Sequence, residues 1–317
     1  MPGENDPLVV VLGPTASGKS ALALDIAARF GGEIVGCDSL QIYRYFDIGT
    51  ARTPPAERRG IPHHLLEIAQ PTDIFTAGDY SRLARAAIAE ISGRRRLPVV
   101  VGGSGFYLRA LLQGLFPGAG RNPELRATLI QREQRRAGLL HRLLRRLDPV
   151  AAARIHPNDF NKQIRAIEVC LSERRPMTDQ FGKGRDPLTG YRIIRIGLDP
   201  PRPELHARID ARVTHMFDSS LIDEVREILQ RRCPRTAKPF ESLGYKEALA
   251  VVEGRLSTTE AIRLAQNETR QYAKRQMTWF RREPDVVWIK GFGDSAAVRQ
   301  TVLQQLQQEL GAAREAQ

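Results

Sequence analysis

One eight-residue segment near the amino terminus, Gly13-Pro14-Thr15-Ala16-Ser17-Gly18-Lys19-Ser20, constrains the fold of this chain more than any other. It follows a wholly apolar, largely β-branched run, Leu8–Leu12, and leads into a stretch rich in Ala, Leu and Ile from Lys19 to Phe30 that Gly31-Gly32 stops. An apolar run without polar alternation is what a strand covered on both faces requires, and the stretch after it has the composition of a helix. The pattern GxxxxGK[ST] therefore stands between a buried strand and a helix, the context that gives it meaning. Glycines let backbone N–H groups approach phosphate oxygens, the helix amino end adds partial positive charge, and Lys19 adds a full one. Gly13 to Ser20 is thus expected to be a phosphate-holding P-loop, with the Ser20 hydroxyl placed to ligate a Mg²⁺ shared with the phosphates.

Further strand and helix signals extend this unit. Ile34–Cys37 reads as a second strand ending at Asp38, and Leu83, Ala84, Ala87, Ile88 and Ile91 recur at helical spacing. Pro98–Val101 is a third buried strand, running into Gly102-Gly103-Ser104-Gly105. Alternation of this kind specifies a doubly wound α/β domain. Between Arg121 and Arg185 the texture changes: strand signals vanish, and 15 Lys or Arg face 7 Asp or Glu, which is +8 of the chain's +12. Leu139, Leu140, Leu143, Leu144 and Leu147 form one helix stripe there, while Arg135, Arg142, Arg145 and Arg146 fall elsewhere. Strand Tyr191–Leu198 then returns to the sheet, followed by helices over Glu204–Phe217 and Thr258–Arg282. The expected fold is α/β: a P-loop NTPase-like parallel sheet core with an inserted basic helical domain. Its parts would be 1–116, the insertion 117–189, the second core part with C-terminal helices 190–290, and a Gln-rich helix or tail 291–317.

Charge narrows the partners. Lys plus Arg number 48 against 36 acidic residues, which favours a polyanion such as nucleic acid. Three scattered cysteines, with no CxxC pair, argue against a disulfide framework or structural zinc and fit a reducing cytoplasm. No apolar run approaches a membrane span of ~18 residues, and Met1 to Pro7 lacks a secretory pattern, so a cytoplasmic protein without membrane contact is expected. His63-His64 reads as a turn or surface pair rather than a metal site. Arg263, Arg270, Lys274 and Arg281 share one face of the long helix, either as a phosphate-tracking stripe or as a solvated face, and Trp279 and Phe280 read as packing.

A P-loop fixes a phosphate and not a reaction. Asp38, at the end of the second strand, should face the loop, where it could serve as a general base, a ligand near Mg²⁺, or only a turn cap. At this point the residues become particular. Gly13–Ser20, Asp38-Ser39-Leu40-Gln41-Ile42-Tyr43-Arg44, Asp47-Ile48-Gly49-Thr50-Ala51 and Pro62-His63-His64-Leu65 resemble the tRNA dimethylallyltransferase, or tRNA isopentenyltransferase, family. The likeness continues through Gly102-Gly103-Ser104-Gly105-Phe106-Tyr107, Asp148-Pro149, Arg165-Ala166-Ile167-Glu168, Gly244-Tyr245-Lys246-Glu247 and Tyr272-Ala273-Lys274-Arg275-Gln276 with Thr278-Trp279-Phe280-Arg281, in one order over about residues 8 to 289. The zinc finger of the eukaryotic members is missing, so a bacterial type is expected. Ser20 and Ser104 stand where Thr is common and keep the hydroxyl; Ser220 replaces a usual glycine and puts that turn in doubt.

The resemblance implies alkylation of N6 of the adenine immediately 3′ of the anticodon by dimethylallyl diphosphate, with Mg²⁺ present and pyrophosphate released. It makes the P-loop a holder of prenyl diphosphate rather than ATP. Carried over by position, it implies Asp38 as base, Thr15 beside the bridging oxygen, Arg212 as a further diphosphate ligand, and Lys19 and Ser20 on phosphate and metal. Contacts to the tRNA anticodon arm would come from Asp38-Ser39-Leu40-Gln41, Asn161-Lys162-Gln163-Ile164-Arg165 and Glu241-Ser242-Leu243-Gly244-Tyr245-Lys246, with Ser104 and Arg126 beside the entering nucleotide. A monomer is expected. Two rivals stay open: a P-loop kinase or ATPase acting on RNA, against which stands the lack of a hydrolase-type strand ending in Asp, and a non-catalytic tRNA-binding protein, against which stand the intact Lys19 and Ser20.

Overall fold

A computed structural model of the chain describes residues 5–116, 120–179 and 184–315. The expectations for the extreme termini, and the boundary expected at 117, fall on residues outside these. The chain forms two compact units, Met1–Leu112 with Leu188–Gln317, and Gln113–Pro187.

The larger unit is built on a six-stranded sheet in the order β3-β2-β4-β1-β5-β6, with every pair parallel. Its strands are β1 (Asp6–Leu12), β2 (Gly32–Gly36), β3 (His63–His64), β4 (Leu97–Gly102), β5 (Tyr191–Asp199) and β6 (Val286–Lys290). The apolar run of β1 is buried because both faces are covered. Leu8, Val10 and Leu12 pack with Ile88 of α2 (Ala77–Gly93) and Leu111 of α3 (Gly105–Gln113). Val9 and Val11 pack on the other side with Leu22 and Ile26 of α1 (Lys19–Phe30) and Val302 of α12 (Ala296–Glu315). Strand β5, late in sequence, lies directly beside β1, with Leu12 opposite Gly197, so the strand that follows the insertion is placed inside the sheet, between β1 and the edge strand β6.

Four helices, α8 (Arg202–Asp218), α9 (Leu221–Gln230), α10 (Tyr245–Val252) and α11 (Thr258–Phe280), share a further core with Ile42, Tyr43 and Phe46. That core holds the segment after Asp38 in place. Helix α11 starts at a reciprocal cap between Ser257 and Glu260. Ser220, where glycine is usual, takes φ 82° at the start of α9, so the turn is kept at a cost of about 1 kcal/mol for a side chain in left-handed backbone. One strand was not foreseen in the sequence. Val286–Lys290 is a sixth strand, hidden in the sequence because an edge strand is half exposed and short. The Gln-rich segment, expected as a helix or tail, is a helix that buries Val298, Val302 and Leu306 at four-residue spacing. No described helix is long and apolar enough to cross a membrane.

The unit Gln113–Pro187 comprises α4 (Pro123–Arg135), α5 (Leu139–Leu147), α6 (Pro149–Arg154) and α7 (Phe160–Glu173). Its core joins Leu129, Leu140, Leu144, Ile164 and Ile167, while Arg142, Arg145 and Arg146 are exposed. Asp148 is fully buried yet satisfied, capping α6 at Ala151 N (2.9 Å) and accepting from Thr178 N and Oγ1.

Candidate functional site

The site grows from the carboxyl ends of the parallel strands, where such sheets hold their ligands. Beyond β1 the chain turns through Ala16 at φ 62° and Gly18 at φ 80° before α1 begins at Lys19. Gly18 is required twice over: its backbone is left-handed, and a Cβ there would lie 2.7 Å from Asp294 N. That close approach belongs to the segment after β6, whose Gly293 N–H donates to Ser17 O at 2.9 Å and so braces the loop.

Three side chains converge on this loop. Lys19 Nζ donates to Pro14 O (3.1 Å), and Arg212, from α8, donates through Nη2 to Thr15 Oγ1 (2.5 Å). Asp38, two residues past β2, accepts Leu40 N–H at 2.9 Å and Gln41 N–H at 3.4 Å through Oδ1. Burial and the nearby Arg212 charge push the Lys19 ammonium down to about 8, against the opposing pull of Asp38. Burial likewise lowers the Arg212 guanidinium, whose Nε is buried with no hydrogen-bond partner. A buried guanidinium donor left unpaired beside the Lys19 ammonium is poised for an anionic ligand.

Thr15, Lys19, Ser20, Asp38, Gln41 and Arg212 line a small cavity of about 80 Å³. Thr15, Asp38 and Arg212 also line a second cavity, about 600 Å³, walled by Leu40, Tyr43, Phe75, Tyr107, Val213, Met216 and Phe217. Polar groups rim it: Lys238, Glu241, Ser242, Lys246, Glu268, Tyr272 and Arg275. A phosphate-sized compartment thus meets a larger, partly apolar one at four residues, these three and Thr50. A cavity of about 920 Å³ lies elsewhere, between Asp6, Arg29, Arg96 and Leu97, at the amino ends of the strands, the opposite end from where such sheets bind.

The residues named from sequence divide accordingly. Gly13 to Ser20, Asp38, Arg212, Ser39 and Ser104 come together, Ser39 N donating to Ser104 Oγ at 3.0 Å. Glu241, Ser242, Leu243, Gly244 and Lys246 face the larger cavity. Tyr245 does not: it is fully buried, edge-on to Phe46 at 4.8 Å, with its hydroxyl on Glu224 and Gly49 N, so its side chain braces the Gly49 loop instead of meeting RNA. In the smaller unit Asn161 and Lys162 are exposed, but Gln163 and Ile164 are turned inward, Gln163 donating to His156 O and Pro157 O. Arg126 is committed to buried Glu168 by a two-pronged pair at 2.9 and 2.7 Å, and Arg165 joins it at 2.8 Å. Burial alone would raise Glu168, but Arg126, the Asn122 N–H and Arg165 outweigh it and hold the carboxyl at about 2.

Other expectations shift too. His63 and His64 form strand β3 rather than a turn, with His64 on Glu33 at 2.8 Å and His63 on Ile61 O at 2.8 Å. Along α11, Arg270 is paired with Asp210 and Arg281 with Asp199, while Arg263 and Lys274 are exposed, so the basic stripe is interrupted by acidic partners. Phe280 is core, and Trp279 lies under Arg109 at 4.4 Å. Sequence reasoning missed Tyr107, Tyr272, Arg275 and Gln276 as neighbours of the site; their only signal was membership of the quoted motifs. Among the described residues no group of three His, Cys, Asp or Glu stands together.

The sequence profile of the family described as IPP transferase matches residues 41–283. The chain is similar to the tRNA dimethylallyltransferase of Solibacter usitatus, 58% identical over 96% of this chain and 99% of that one, and to that of Koribacter versatilis, 55% identical over 93% and 96%. Among solved structures it resembles the tRNA isopentenylpyrophosphate transferase of Bacillus halodurans, with TM-score 0.71, 33% identity, and 98% and 100% of the two chains covered. It also resembles a eukaryotic dimethylallyltransferase acting on tRNA, with TM-score 0.78, 25% identity, and 90% and 74% covered.

Proposed function

The chain belongs to the IPP transferase family, and on that premise we infer that it is a transferase moving a dimethylallyl group from dimethylallyl diphosphate to N6 of the adenine immediately 3′ of the anticodon in tRNA. The observation that carries this is the meeting of the two cavities at Thr15, Asp38, Thr50 and Arg212. The diphosphate occupies the small compartment, held by Lys19, Arg212 and the backbone of Gly13–Ser20. Because Arg212 donates to Thr15 Oγ1, the Thr15 hydroxyl hydrogen is free to bond the bridging oxygen, whose bond to the prenyl carbon breaks. The adenine enters the larger cavity, which it reaches only by leaving its stack. As N6 bonds to the prenyl carbon its proton becomes acidic, and Asp38 takes it while pyrophosphate leaves.

Mg²⁺ fits the residues present. The Ser20 hydroxyl is a hard oxygen donor lining the small cavity, and the ion would take its remaining ligands from diphosphate and water. When bound it would offset charge on the leaving pyrophosphate. The exposed arginines of the Gln113–Pro187 unit supply the attraction for the anticodon arm. All these groups come from one chain, which supports activity as a monomer, and a tRNA substrate supports a cytoplasmic setting.

A kinase reading predicts a different ligand preference. With Mg²⁺ present, dimethylallyl diphosphate or pyrophosphate should raise the melting temperature more than ATP at equal concentration. ATP as the better stabiliser, or rapid ATP hydrolysis, would overturn the prenyl-donor reading.

A further inference from the structure

Gln276, on α11, lines neither cavity and is 6% exposed, yet its amide spans the two halves of the site. Its Oε1 accepts the Thr15 N–H at 2.8 Å and its Nε2 donates to Gly103 O at 2.9 Å. The orientation of the amide is forced, since an N–H needs the oxygen and a carbonyl needs the nitrogen. One residue on from Gly103, Ser104 Oγ receives the Ser39 N–H, and Ser39 adjoins Asp38. A single side chain therefore joins the loop that holds the donor to the loop that abuts the base.

Local packing shows that the bridge is built in. A Cβ on Gly103 would stand 2.3 Å from Gln276 Nε2, so the amide reaches the backbone there only because residue 103 is glycine. Tyr272, one turn earlier on α11, lines the acceptor cavity. Without the bridge, the Thr15 N–H and the Gly103 carbonyl would be left unpaired, and the tie between Thr15 and the end of β4 would be gone.

We propose that Gln276 is a positioning residue for the transfer reaction: it sets the spacing between Thr15 with Arg212, which hold the diphosphate, and Asp38, which holds the amine. The proposal rests on the prenyl-transfer reading above. Misplacement of reacting groups by about 1 Å costs on the order of 10²-fold in rate, so the effect belongs in kcat and not in tRNA affinity.

Two variants test it, each checked by thermal melting and each measured beside the wild type. Gln276→Leu fills the space but bridges nothing; kcat should fall on the order of 10²-fold while KM for tRNA changes less than about threefold. Gln276→Glu separates positioning from packing. Ionised, it accepts from Thr15 N–H but repels Gly103 O; protonated, it donates to that oxygen again. Its kcat relative to wild type should therefore climb on going from pH 8 to pH 6, by up to about a hundredfold, since one ionisation changes the protonated fraction by at most about tenfold per pH unit. Lys19 on α1, Arg212 on α8, Asp38 after β2 and Tyr272 on α11 face the same region and are common to both proteins, so the ratio cancels them. A ratio that does not change with pH, or Gln276→Leu within threefold of wild-type kcat, overturns the proposal. If Gln276→Leu fails to fold, the Gln276→Glu ratio decides alone. A wild-type enzyme that prenylates no tRNA would sink the proposed function, an outcome distinct from either.

Discussion

Replacing Asp38 by Asn isolates one proton transfer. Asp38 Oδ1 is occupied by the Leu40 and Gln41 N–H groups, whereas Oδ2 has no hydrogen-bond partner among the described residues. An Asn can leave its carbonyl oxygen at the first position, so the turn survives and stability changes by under about 1 kcal/mol. Its NH₂ then stands where Oδ2 stood. That group can hydrogen-bond an acceptor but has no available lone pair for a proton. Loss of a positioned general base costs ~10²–10⁴-fold, or about 2.7–5.4 kcal/mol of barrier at 1.36 kcal/mol per tenfold. Single-turnover prenylation of unmodified tRNA at saturating donor should show that loss, with both KM values within about threefold and the melting temperature within about 3 °C. A secondary effect follows from the charges: Asp38 opposes the downward shift of Lys19, so the variant's Lys19 should lose its proton at lower pH, and assays belong near pH 6.5. A rate within tenfold of wild type would refute the base role. Rescue by excess Mg²⁺ would assign Asp38 to the metal instead.

The charge on Lys19 sets a second expectation. Its free-enzyme pKa lies at about 8 because of burial and Arg212, so the ammonium is present below that pH and lost above it. Donor affinity measured calorimetrically without tRNA should weaken from pH 7 to 9.5, and constancy would place the ammonium outside the site. Replacing Arg142, Arg145 and Arg146 together, all exposed, should reduce the slope of log affinity for tRNA against log salt by about 2, at ~0.7–0.9 for each phosphate no longer neutralised, and leave donor affinity alone; an unchanged slope would make them a solvated face. Glu168 gives the smaller unit a pH dependence. Its carboxyl is held low, at about 2, so its contribution is complete above the ordinary value near 4.5 and is lost as pH falls through 2. Glu168→Gln should cost about 3 kcal/mol at pH 7 by leaving Arg126 and Arg165 without their carboxylate, and should flatten the acid limb of the melting curve; an unchanged melt at pH 7 would contradict this.

Legibility in the sequence followed periodicity and local chemistry. The runs Leu8–Leu12 and Pro98–Val101 announced central strands because covered strands need unbroken apolar character, and the P-loop announced the β1–α1 turn because its pattern needs that context. Edge positions carried no such mark: half-exposed Val286–Lys290 reads as ordinary surface chain until β5 is beside it. What was legible of the site is the placing together of Asp38, Lys19 and Arg212, which the resemblance puts in one region. Legibility failed where a motif residue serves the core, since the sequence does not say that Tyr245 turns toward Phe46 or that Gln163 and Ile164 turn inward. Charges misled in the same way. Arg126 and Arg270 look available in one dimension and are bound to Glu168 and Asp210 in three.

The central claim is a bond between a prenyl carbon and one adenine nitrogen, so the decisive measurement is the mass of that nucleoside. The protein, Mg²⁺, dimethylallyl diphosphate and an unmodified tRNA transcript with adenine 3′ of the anticodon are incubated, digested, and resolved by mass spectrometry. The account predicts N6-dimethylallyladenosine at that single position, one pyrophosphate released per transfer, and none when the adenine is replaced by guanine. Unmodified adenosine beside a consumed donor, or prenylation scattered over other adenines, would contradict it.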